Sequence, residues 1–480
     1  MKMKQAQAAV EAALKAGADY ADARANQTIT EELVYRNGAV AVADAPDDSG
    51  LGVRVMKDGC WGFAAASVDS LSGAEQLAQR ALKVSRELSP ARTEPVRLVP
   101  NETGTCEWST PLEIDPFSVS LSDKLDMLTK AEASMAGAEE TVIKEAGMSL
   151  RQEEQWMASS DGAEIYQKLV RCGAGISTTA SANGTTQRRS YPASFGGNPR
   201  SAGYEHILGL DLASHGARMR DESVQLCSAD PCPEGERDLI LMGNQLMLQI
   251  HESVGHPNEL DRVFGHEVDL AGSSFATTDK LGSFQYGSDI VNLVADSTIP
   301  GGLDTRAYDD DGVASQRWHV VENGVFKGYH TNREWADSIG EAASRGTNRA
   351  EGWYNPPIIR ITNLSLMPGE WTLDNLIADT EDGVLLDTVK MWSIDQRRLN
   401  FQFTSEIAWE IKDGVRGRIL RDPTYQGTTP EFWRSCDAIC NEDHWELWGV
   451  ANCGKGNPMQ VAEMSHGASP ARFRKMSFVR

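Results

Sequence analysis

One short segment does most to constrain how this chain can fold, because it separates two stretches of different character. It is the run Asp-Pro-Cys-Pro-Glu-Gly-Glu at residues 230–236, where two prolines and a glycine stand among acids, as in a linker. A chain of 480 residues is also too long for one core, so units of roughly 200–250 residues are expected. The sequence predicts an N-terminal domain over residues 1–230 and a C-terminal domain over residues 235–480.

The two stretches differ in their hydrophobic patterns. Before the linker the chain mixes helical and strand patterns, with helices predicted over residues 5–17, 70–88, 122–139 and 204–225 and strands over 31–36, 52–57 and 141–179. After it the chain is strand-rich, and Asn323-Gly324 suits a type I′ hairpin turn. The expected fold class is α+β, with a mixed first domain and a barrel- or sandwich-like second domain.

The charge balance excludes several classes of partner. Lys and Arg number 46 against 69 Asp and Glu, which gives a net charge of −23. Such a surface repels phosphate and no long basic run offsets it, so neither a nucleic acid nor an acidic membrane is an expected partner. The most apolar stretch, residues 239–250, is far short of the roughly 20 residues of a membrane span. Residues 1–16 lack the apolar centre of a secretory signal, so a cytoplasmic protein is expected.

The segment His251-Glu252-Ser253-Val254-Gly255-His256 carries the most chemical information. It ends a predicted helix, residues 245–255, that follows a short apolar strand. The segment supplies two imidazoles and a carboxylate at one place. Zinc catalysis needs such a set, because nitrogen ligands leave a coordination position open and a carboxylate can take a proton.

The spacing of the two histidines does not suit a regular helix. Five residues rotate the second imidazole by roughly 140° away from the first. Pro257, however, disfavours α conformation at His256. The helix is therefore expected to loosen or end near Gly255, or to contain a π-bulge, which would let His256 swing back.

Two imidazoles need a third ligand to make a tight site. Cys453 is the predicted one, since it lies among small residues whose glycines allow a close backbone approach to a ligand.

A rival arrangement uses other cysteines. Cys436, Cys440 and His444 repeat every four residues in one predicted helix, and with Cys453 they could form a Cys₃His structural zinc site. The alternative is that Cys436 and Cys440 simply pack on one helix face, because Cys is among the residues most often buried.

Together these motifs resemble the TldD/PmbA metallopeptidases. The likeness rests on the His-Glu-x-x-x-His segment after a strand, Glu259-Leu260-Asp261-Arg262, the run 308–312, the Asn323-Gly324 hairpin, and the ending Cys453-Gly454-Lys455-Gly456 to Ser465-His466-Gly467. It covers most of the second half of the chain and is weaker over the first half. Catalytic members carry the His-Glu-x-x-x-His and the later Cys, and this chain has both.

The resemblance implies a zinc-dependent protease built as a homodimer, or as a heterodimer with a TldE/PmbA-like subunit. Its substrates would be unfolded or short peptides, taken into an internal channel and held through main-chain hydrogen bonds. The resulting hypothesis is that His251, His256 and Cys453 hold Zn²⁺, and that Glu252 takes a proton from the attacking water and passes it to the leaving amine.

Two further histidines are weaker candidates. His466 could donate a hydrogen bond to the developing oxyanion, or it could be a histidine in a turn. His266 is expected to lie in the second shell of the metal or in solvent.

Two other functions compete with a peptidase. One is a non-catalytic partner or scaffold subunit with structural zinc, against which the adjacent Glu252 argues, since a structural site needs no such carboxylate. The other is a metal-dependent amidase that acts on small molecules with the same site chemistry.

Overall fold

The computed structural model describes residues 1–91 and 93–480. It is an α+β structure, as the sequence predicts. The helices are mostly short: α1 (Lys2–Lys15), α2 (Leu71–Leu88), α3 (Leu121–Ala133), α4 (Tyr204–Gly209), α5 (Leu212–Leu226), α6 (Gly243–Ile250), α7 (Leu260–Val263), α8 (Leu373–Ala378) and α9 (Thr429–Arg434). Short 3₁₀ turns occupy Ser89–Ala91, His256–Asn258, Thr278–Lys280, Ala336–Ile339 and Glu442–His444.

The first half of the chain builds one mixed sheet. Its strands are β1 (Tyr20–Arg36), β2 (Ala39–Asp44), β3 (Asp47–Lys57), β4 (Cys60–Ala66), β5 (Thr105–Ser109), β6 (Thr141–Ser159), β7 (Glu164–Ala182) and β8 (Thr185–Tyr191). They are ordered β4-β3-β1-β6-β7-β5, with β2 paired to β1 and β8 to β7. Helices α1 and α2 bury a small-residue face that includes Ala9 and Ala78 against this sheet, so the alanine-rich helix patterns of the sequence serve close packing.

The second half contains the strands from β9 onward. They are β9 (Asp230–Pro231), β10 (Gly235–Leu241), β11 (Leu293–Asp296), β12 (Arg317–Glu322), β13 (Val325–Phe326), β14 (Asn348–Arg349), β15 (Ile358–Ile359), β16 (Leu364–Leu366), β17 (Asp382–Ile394), β18 (Asn400–Lys412), β19 (Val415–Arg421), β20 (Thr424–Thr428), β21 (Cys436–Ile439), β22 (Glu446–Lys455), β23 (Gln460–Ala468) and β24 (Ala471–Val479).

A closed barrel forms the centre of this half. The ring runs β17-β10-β24-β20-β18, and pairing of β18 with β17 closes it. Strands β19, β9 and β21 extend the same sheet. The expectation of a strand-rich, barrel-like region is therefore confirmed, and the barrel interior continues into the large apolar core under α6.

A smaller sheet, ordered β13-β12-β11-β16, flanks the barrel. Its hairpin joins Glu322 to Val325 through Asn323 and Gly324, whose φ angles of 47° and 75° are both positive. A type I′ turn needs that combination, so the predicted hairpin is confirmed.

Buried ion pairs connect the first sheet to the second half. Arg24 Nη1 lies 3.0 Å from Asp310 Oδ2, and Arg54 Nη2 lies 2.7 Å from both Asp22 Oδ2 and Asp311 Oδ1. Burial raises the pKa of Asp311, but Arg54, together with hydrogen bonds from Asn348 and Arg333, keeps that pKa below its ordinary value. Asp310 and Asp311 are therefore structural residues, since arginines of the first sheet pair with both carboxylates.

Two helix predictions are wrong in detail. The helix expected over residues 204–225 is divided into α4 and α5 at Asp211, whose φ is 44°. The helix expected from Cys436 to His444 does not form, because Cys436 begins strand β21 and His444 ends a 3₁₀ turn.

The helices of the described ranges include none with the length and apolar character that a membrane crossing requires.

Candidate metal centre

Helix α6 brings the first histidine into the core. It starts just after β10, and all eight of its residues are buried, the polar Asn244, Gln245 and Gln249 among them. Gly243 allows its close approach to the β22–β23 hairpin, because a Cβ there would lie 2.7 Å from Trp448 Nε1 and 2.8 Å from the carbonyl oxygen of Ala468.

The α-helix changes to a π-helical turn at the histidine segment. Residues His251–Gly255 form this turn, and the N–H of His256 bonds to the carbonyl oxygen of His251. A bond between residues five apart aligns them on one face, and the two imidazole centroids lie 4.7 Å apart. The prediction that the helix loosens here is confirmed.

Cys453 reaches the same place from β22 because of a β-bulge. Val450 pairs with Met464 and Cys453 with Ala462, so two residues of β22 stand opposite one of β23. Without the extra residue, strand alternation would turn Cys453 to the other face of the hairpin. The bulge places the thiol on the same face as His466.

The structure brings His251, His256 and Cys453 together. Their ligand atoms all lie within 4.8 Å of one another, and the residues are 3 %, 4 % and 5 % exposed. Cys453 Sγ is 3.4 Å from His256 Nε2. Within the described ranges this is the one group of three or more His, Cys, Asp or Glu side chains arranged to hold a metal ion.

A chain of hydrogen bonds fixes the tautomer of His251. The carbonyl oxygen of Leu364 can only accept, so His466 donates to it from Nδ1 at 2.8 Å. His466 Nε2 must then accept from His251 Nδ1, also at 2.8 Å. The lone pair of His251 Nε2 is consequently left free for a ligand.

His256 is oriented by a carboxylate. Its Nδ1 donates to Glu259 Oε2 at 2.8 Å, which leaves Nε2 directed at Cys453. Burial raises the pKa of Glu259, but Lys455, His256 and Arg262 together hold that pKa well below its usual range. Glu259 is therefore ionised, and its hydrogen bond to Nδ1 fixes the orientation of the His256 ring.

The Cys453 thiol lies in a cationic environment. Burial raises the pKa of the Cys453 thiol, but His256 and Arg360 lower it by a larger amount. The net pKa is therefore below the ordinary thiol value. Arg360 Nη2 donates to Cys453 Sγ at 3.2 Å. These contacts favour the thiolate, which is the form that binds metals.

Glu252 lies beside the three candidate ligands and is 6 % exposed. Its Oε1 accepts from Trp392 Nε1 at 3.0 Å, and its Oε2 accepts from Arg398 Nη1 at 2.7 Å. Burial raises the pKa of Glu252, but the histidines, Arg398 and Trp392 outweigh it and keep that pKa below its ordinary value. The carboxylate is therefore ionised and able to accept a proton.

All four side chains face one cavity of about 180 Å³. Phe195, from the loop after β8, and Trp392, from β17, pack edge to face at its mouth with centroids 5.6 Å apart. Both rings are substantially exposed, at 55 % and 40 %. The cavity thus has an apolar entrance and a polar floor.

Family models cover nearly all of this architecture. The PmbA/TldA metallopeptidase C-terminal domain matches residues 237–479, which is the half that carries the barrel and the metal centre.

The chain belongs to the PmbA/TldA metallopeptidase family.

Domain 1 of the same family matches residues 21–85 and the central domain matches residues 114–224, so the family models divide the first half once more.

Relatives match along most of their length. A metalloprotease of Methanocaldococcus jannaschii is 29 % identical over 93 % of this chain and 94 % of its own. A metalloprotease TldD homolog of Haemophilus influenzae is 26 % identical over 91 % of this chain and 88 % of its own. The solved structure of TldE from Thermococcus kodakarensis has the same fold, with a TM-score of 0.75, 17 % identity and coverage of 99 % and 100 %.

The two weaker histidine candidates lie in different places. His466 contacts His251, but both of its ring nitrogens are engaged, which leaves none to donate to a substrate. His266 is exposed and packs against Trp335 at 4.8 Å, away from the metal centre.

The structure does not bring together the rival set of Cys436, Cys440, His444 and Cys453. Cys436 lies in the main core, whereas Cys440 lies in a separate cluster on the other side of the barrel sheet. His444 Nε2 accepts a hydrogen bond from the backbone N–H of Leu373 at 3.2 Å.

Sequence reasoning missed four side chains that touch or support the centre, namely Trp392, Arg398, Arg360 and Phe195. Each reaches the centre through long-range strand pairing or loop packing, so no local motif marks it. Glu259 had a signal, since it follows His256 within the family-like segment.

Proposed function

We propose that this chain is a zinc-dependent peptidase that hydrolyses peptide bonds in unfolded or short peptides. The observation that carries the proposal is the convergence of two imidazole nitrogens, one thiol and one ionised carboxylate in a single cavity. The relatives named metalloproteases support the same chemistry.

The donor set fits zinc. His251 and His256 each have one nitrogen tied to a second-shell acceptor and the other free, and Cys453 is favoured as a thiolate. Two imidazoles and a thiolate suit zinc better than Mg²⁺ or Ca²⁺, and three protein ligands leave one position open, as in catalytic sites. A zinc ion held there would supply Lewis acidity to a carbonyl oxygen and to water.

Glu252 is the proposed general base. It would accept a proton from the attacking water and later deliver it to the leaving amine. Trp392 and Arg398 fix both of its oxygens, so the carboxylate is oriented before a substrate arrives.

The peptide nature of the substrate is supported by the strand that borders the cavity. Residues 449–454 of β22 line it, and within the described structure β22 pairs with β23 alone. An extended peptide could add to the open edge through main-chain hydrogen bonds, which read no sequence. This is why unfolded chains are the proposed substrates.

The proposal extends to assembly and location. The likeness to TldE supports a dimer, with a second copy or with a TldE-like subunit. All eight cysteines are thiols in the structure, as is usual in a reducing compartment, so we place the protein in the cytoplasm.

The metal content of cysteine variants tests the proposed site. The parent protein is expected to hold about one zinc ion per chain, and Cys453→Ala is expected to lose it, because two imidazoles alone bind weakly. Cys436→Ala is the matched control, since Cys436 is another buried thiol, and it should retain the parent stoichiometry. Zinc retained in Cys453→Ala and lost in Cys436→Ala, measured by mass spectrometry of the metal, would contradict the site.

A variant of His466 tests the hydrogen bonds that run from His251 through His466 to Leu364. In His466→Leu the Nδ1–H of His251 loses its acceptor, so zinc affinity is expected to fall about 10–100-fold. Competition with a chelator measures it. His444→Leu, which removes an imidazole remote from the centre, should leave the affinity unchanged. An unchanged affinity in His466→Leu would mean that the chain of bonds does not orient His251.

A further inference from the structure

Arg398 is the one cation among the described residues that line the metal-centre cavity. Its Nη1 is paired with Glu252, while its Nε is buried without a hydrogen-bond acceptor in the described structure. A guanidinium carries five N–H donors, so most of its donor capacity is unused in this arrangement.

The backbone around Arg398 is tightly held. Arg398 has a φ of 60°, which is rare for a residue with a side chain, and it lies in the turn between β17 and β18. Thr429 Oγ1 donates to the carbonyl oxygen of Arg398 at 2.8 Å, and Asp395 Oδ1 accepts from the N–H of Leu399 at 2.8 Å. Strained backbone of this kind persists where the surroundings over-determine it, and it is common at functional sites.

Two other side-chain donors near the centre, His466 and Arg360, are committed elsewhere. Both nitrogens of His466 are engaged. Arg360 donates to Cys453 and is 1 % exposed, so it lies behind the thiol rather than in the cavity. Arg398 is therefore the charged group placed to meet negative charge that develops on a substrate.

We propose that Arg398 is a catalytic residue that donates hydrogen bonds to the carbonyl oxygen of the scissile peptide bond as negative charge develops there. The proposal rests on the peptidase function proposed above. In the substrate-free protein Arg398 is paired with Glu252; when a peptide binds, its guanidinium turns part of its donor set to the carbonyl oxygen. The proton taken by Glu252 still goes to the leaving amine, and Arg398 keeps all of its own.

When Arg398 turns from Glu252 to the substrate carbonyl oxygen, substrate binding also frees one oxygen of Glu252, the proposed base. Trp392 keeps its hydrogen bond to Oε1 of Glu252, so the carboxylate stays oriented, while Oε2 becomes free to accept a proton from water. A cation that meets charge as it develops on the substrate stabilises the transition state more than it stabilises the neutral ground state.

Binding of a phosphinic peptide, a tetrahedral anion that is not cleaved, tests the proposal. The comparison is made by calorimetry on zinc-loaded protein in the Glu252→Gln background, so that the ion pair between Arg398 and Glu252 plays no part. Adding Arg398→Gln is expected to weaken phosphinic peptide binding about 10²–10³-fold, the usual cost of one oxyanion donor. The affinity for an ordinary substrate peptide should change little, because its carbonyl is neutral.

Two controls make the result specific. Arg397→Gln removes the same charge from the neighbouring exposed residue and should leave phosphinic peptide affinity unchanged. Arg398→Lys keeps a charge with fewer donors and should bind with intermediate affinity.

Equal phosphinic peptide affinity with and without Arg398→Gln, at equal zinc content, would overturn the role of Arg398, as would an equal loss in Arg397→Gln. Failure of the proposed function is recognised separately, since the zinc-loaded parent protein would then show no peptidase activity.

Discussion

Glu252→Gln is expected to keep its zinc and to lose peptidase activity by about 10²–10⁴-fold, the usual contribution of a general base. Gln has nearly the same shape and its carbonyl oxygen can still accept from Trp392 or Arg398. Its amide cannot take a proton at neutral pH. The measurement is kcat/KM on a short fluorogenic peptide, with zinc content determined on the same sample.

Glu267→Gln is the matched control for this experiment. Glu267 is also buried and near the centre, and its Oε2 accepts from the N–H of Gly456 at 3.2 Å, but it does not line the cavity. This control should keep its zinc and most of its activity. Full activity in Glu252→Gln would contradict the role of base, and loss of zinc would show that Glu252 is itself a ligand.

Lys455→Met is expected to lower the free energy of unfolding by about 3–5 kcal/mol, the cost of leaving buried charge unpaired. The Lys455 ammonium is fully buried, with Asp261 oxygens at 2.7 and 2.8 Å and Glu259 Oε1 at 3.4 Å. Removing it leaves two buried carboxylates, of which only Glu259 keeps a close guanidinium, with Arg262 Nε at 3.5 Å from its Oε2. Urea titration of metal-free protein measures the loss without a contribution from zinc binding.

Lys412→Met is the control for that loss. Lys412 Nζ lies 3.7 Å from Asp382 Oδ1 and its side chain is 63 % exposed, so this pair should contribute less than about 1 kcal/mol. Equal losses in the two variants would mean that burial does not strengthen the Lys455 interactions. A loss in Lys455→Met as small as that expected for Lys412→Met would show that Glu259 and Asp261 tolerate the missing charge.

Local signals account for the parts of the fold that the sequence predicts well. Helix α2 follows from its apolar spacing and from Ser70, whose side chain caps the helix at Gly73. The Asn323-Gly324 hairpin follows from two residues that tolerate positive φ. The break at Asp211 was missed because an Asp with positive φ leaves no pattern that differs from a helical surface residue.

The residues of the metal centre likewise differ in how far local sequence reveals them. His251, Glu252 and His256 are visible because they are neighbours in sequence, and Pro257 signals the change of helix type. The face of Cys453 depends on a bulge in β22, which no residue pattern announces. The contacts of Glu252 depend on Trp392 of β17 and Arg398 of the β17–β18 turn, which lie 140 and 146 residues away along the chain.

The order in which the barrel closes has a consequence for biosynthesis. Strand β24 pairs with β10, β20 and β21, yet it is translated after every other strand of the ring. Cys453 likewise follows His256 by 197 residues. The first sheet can fold while the chain is still emerging from the ribosome, whereas the barrel is completed only after β24 has been made. Metal acquisition is therefore expected to be a late event, and nascent chains halted before β24 should carry no tightly held zinc.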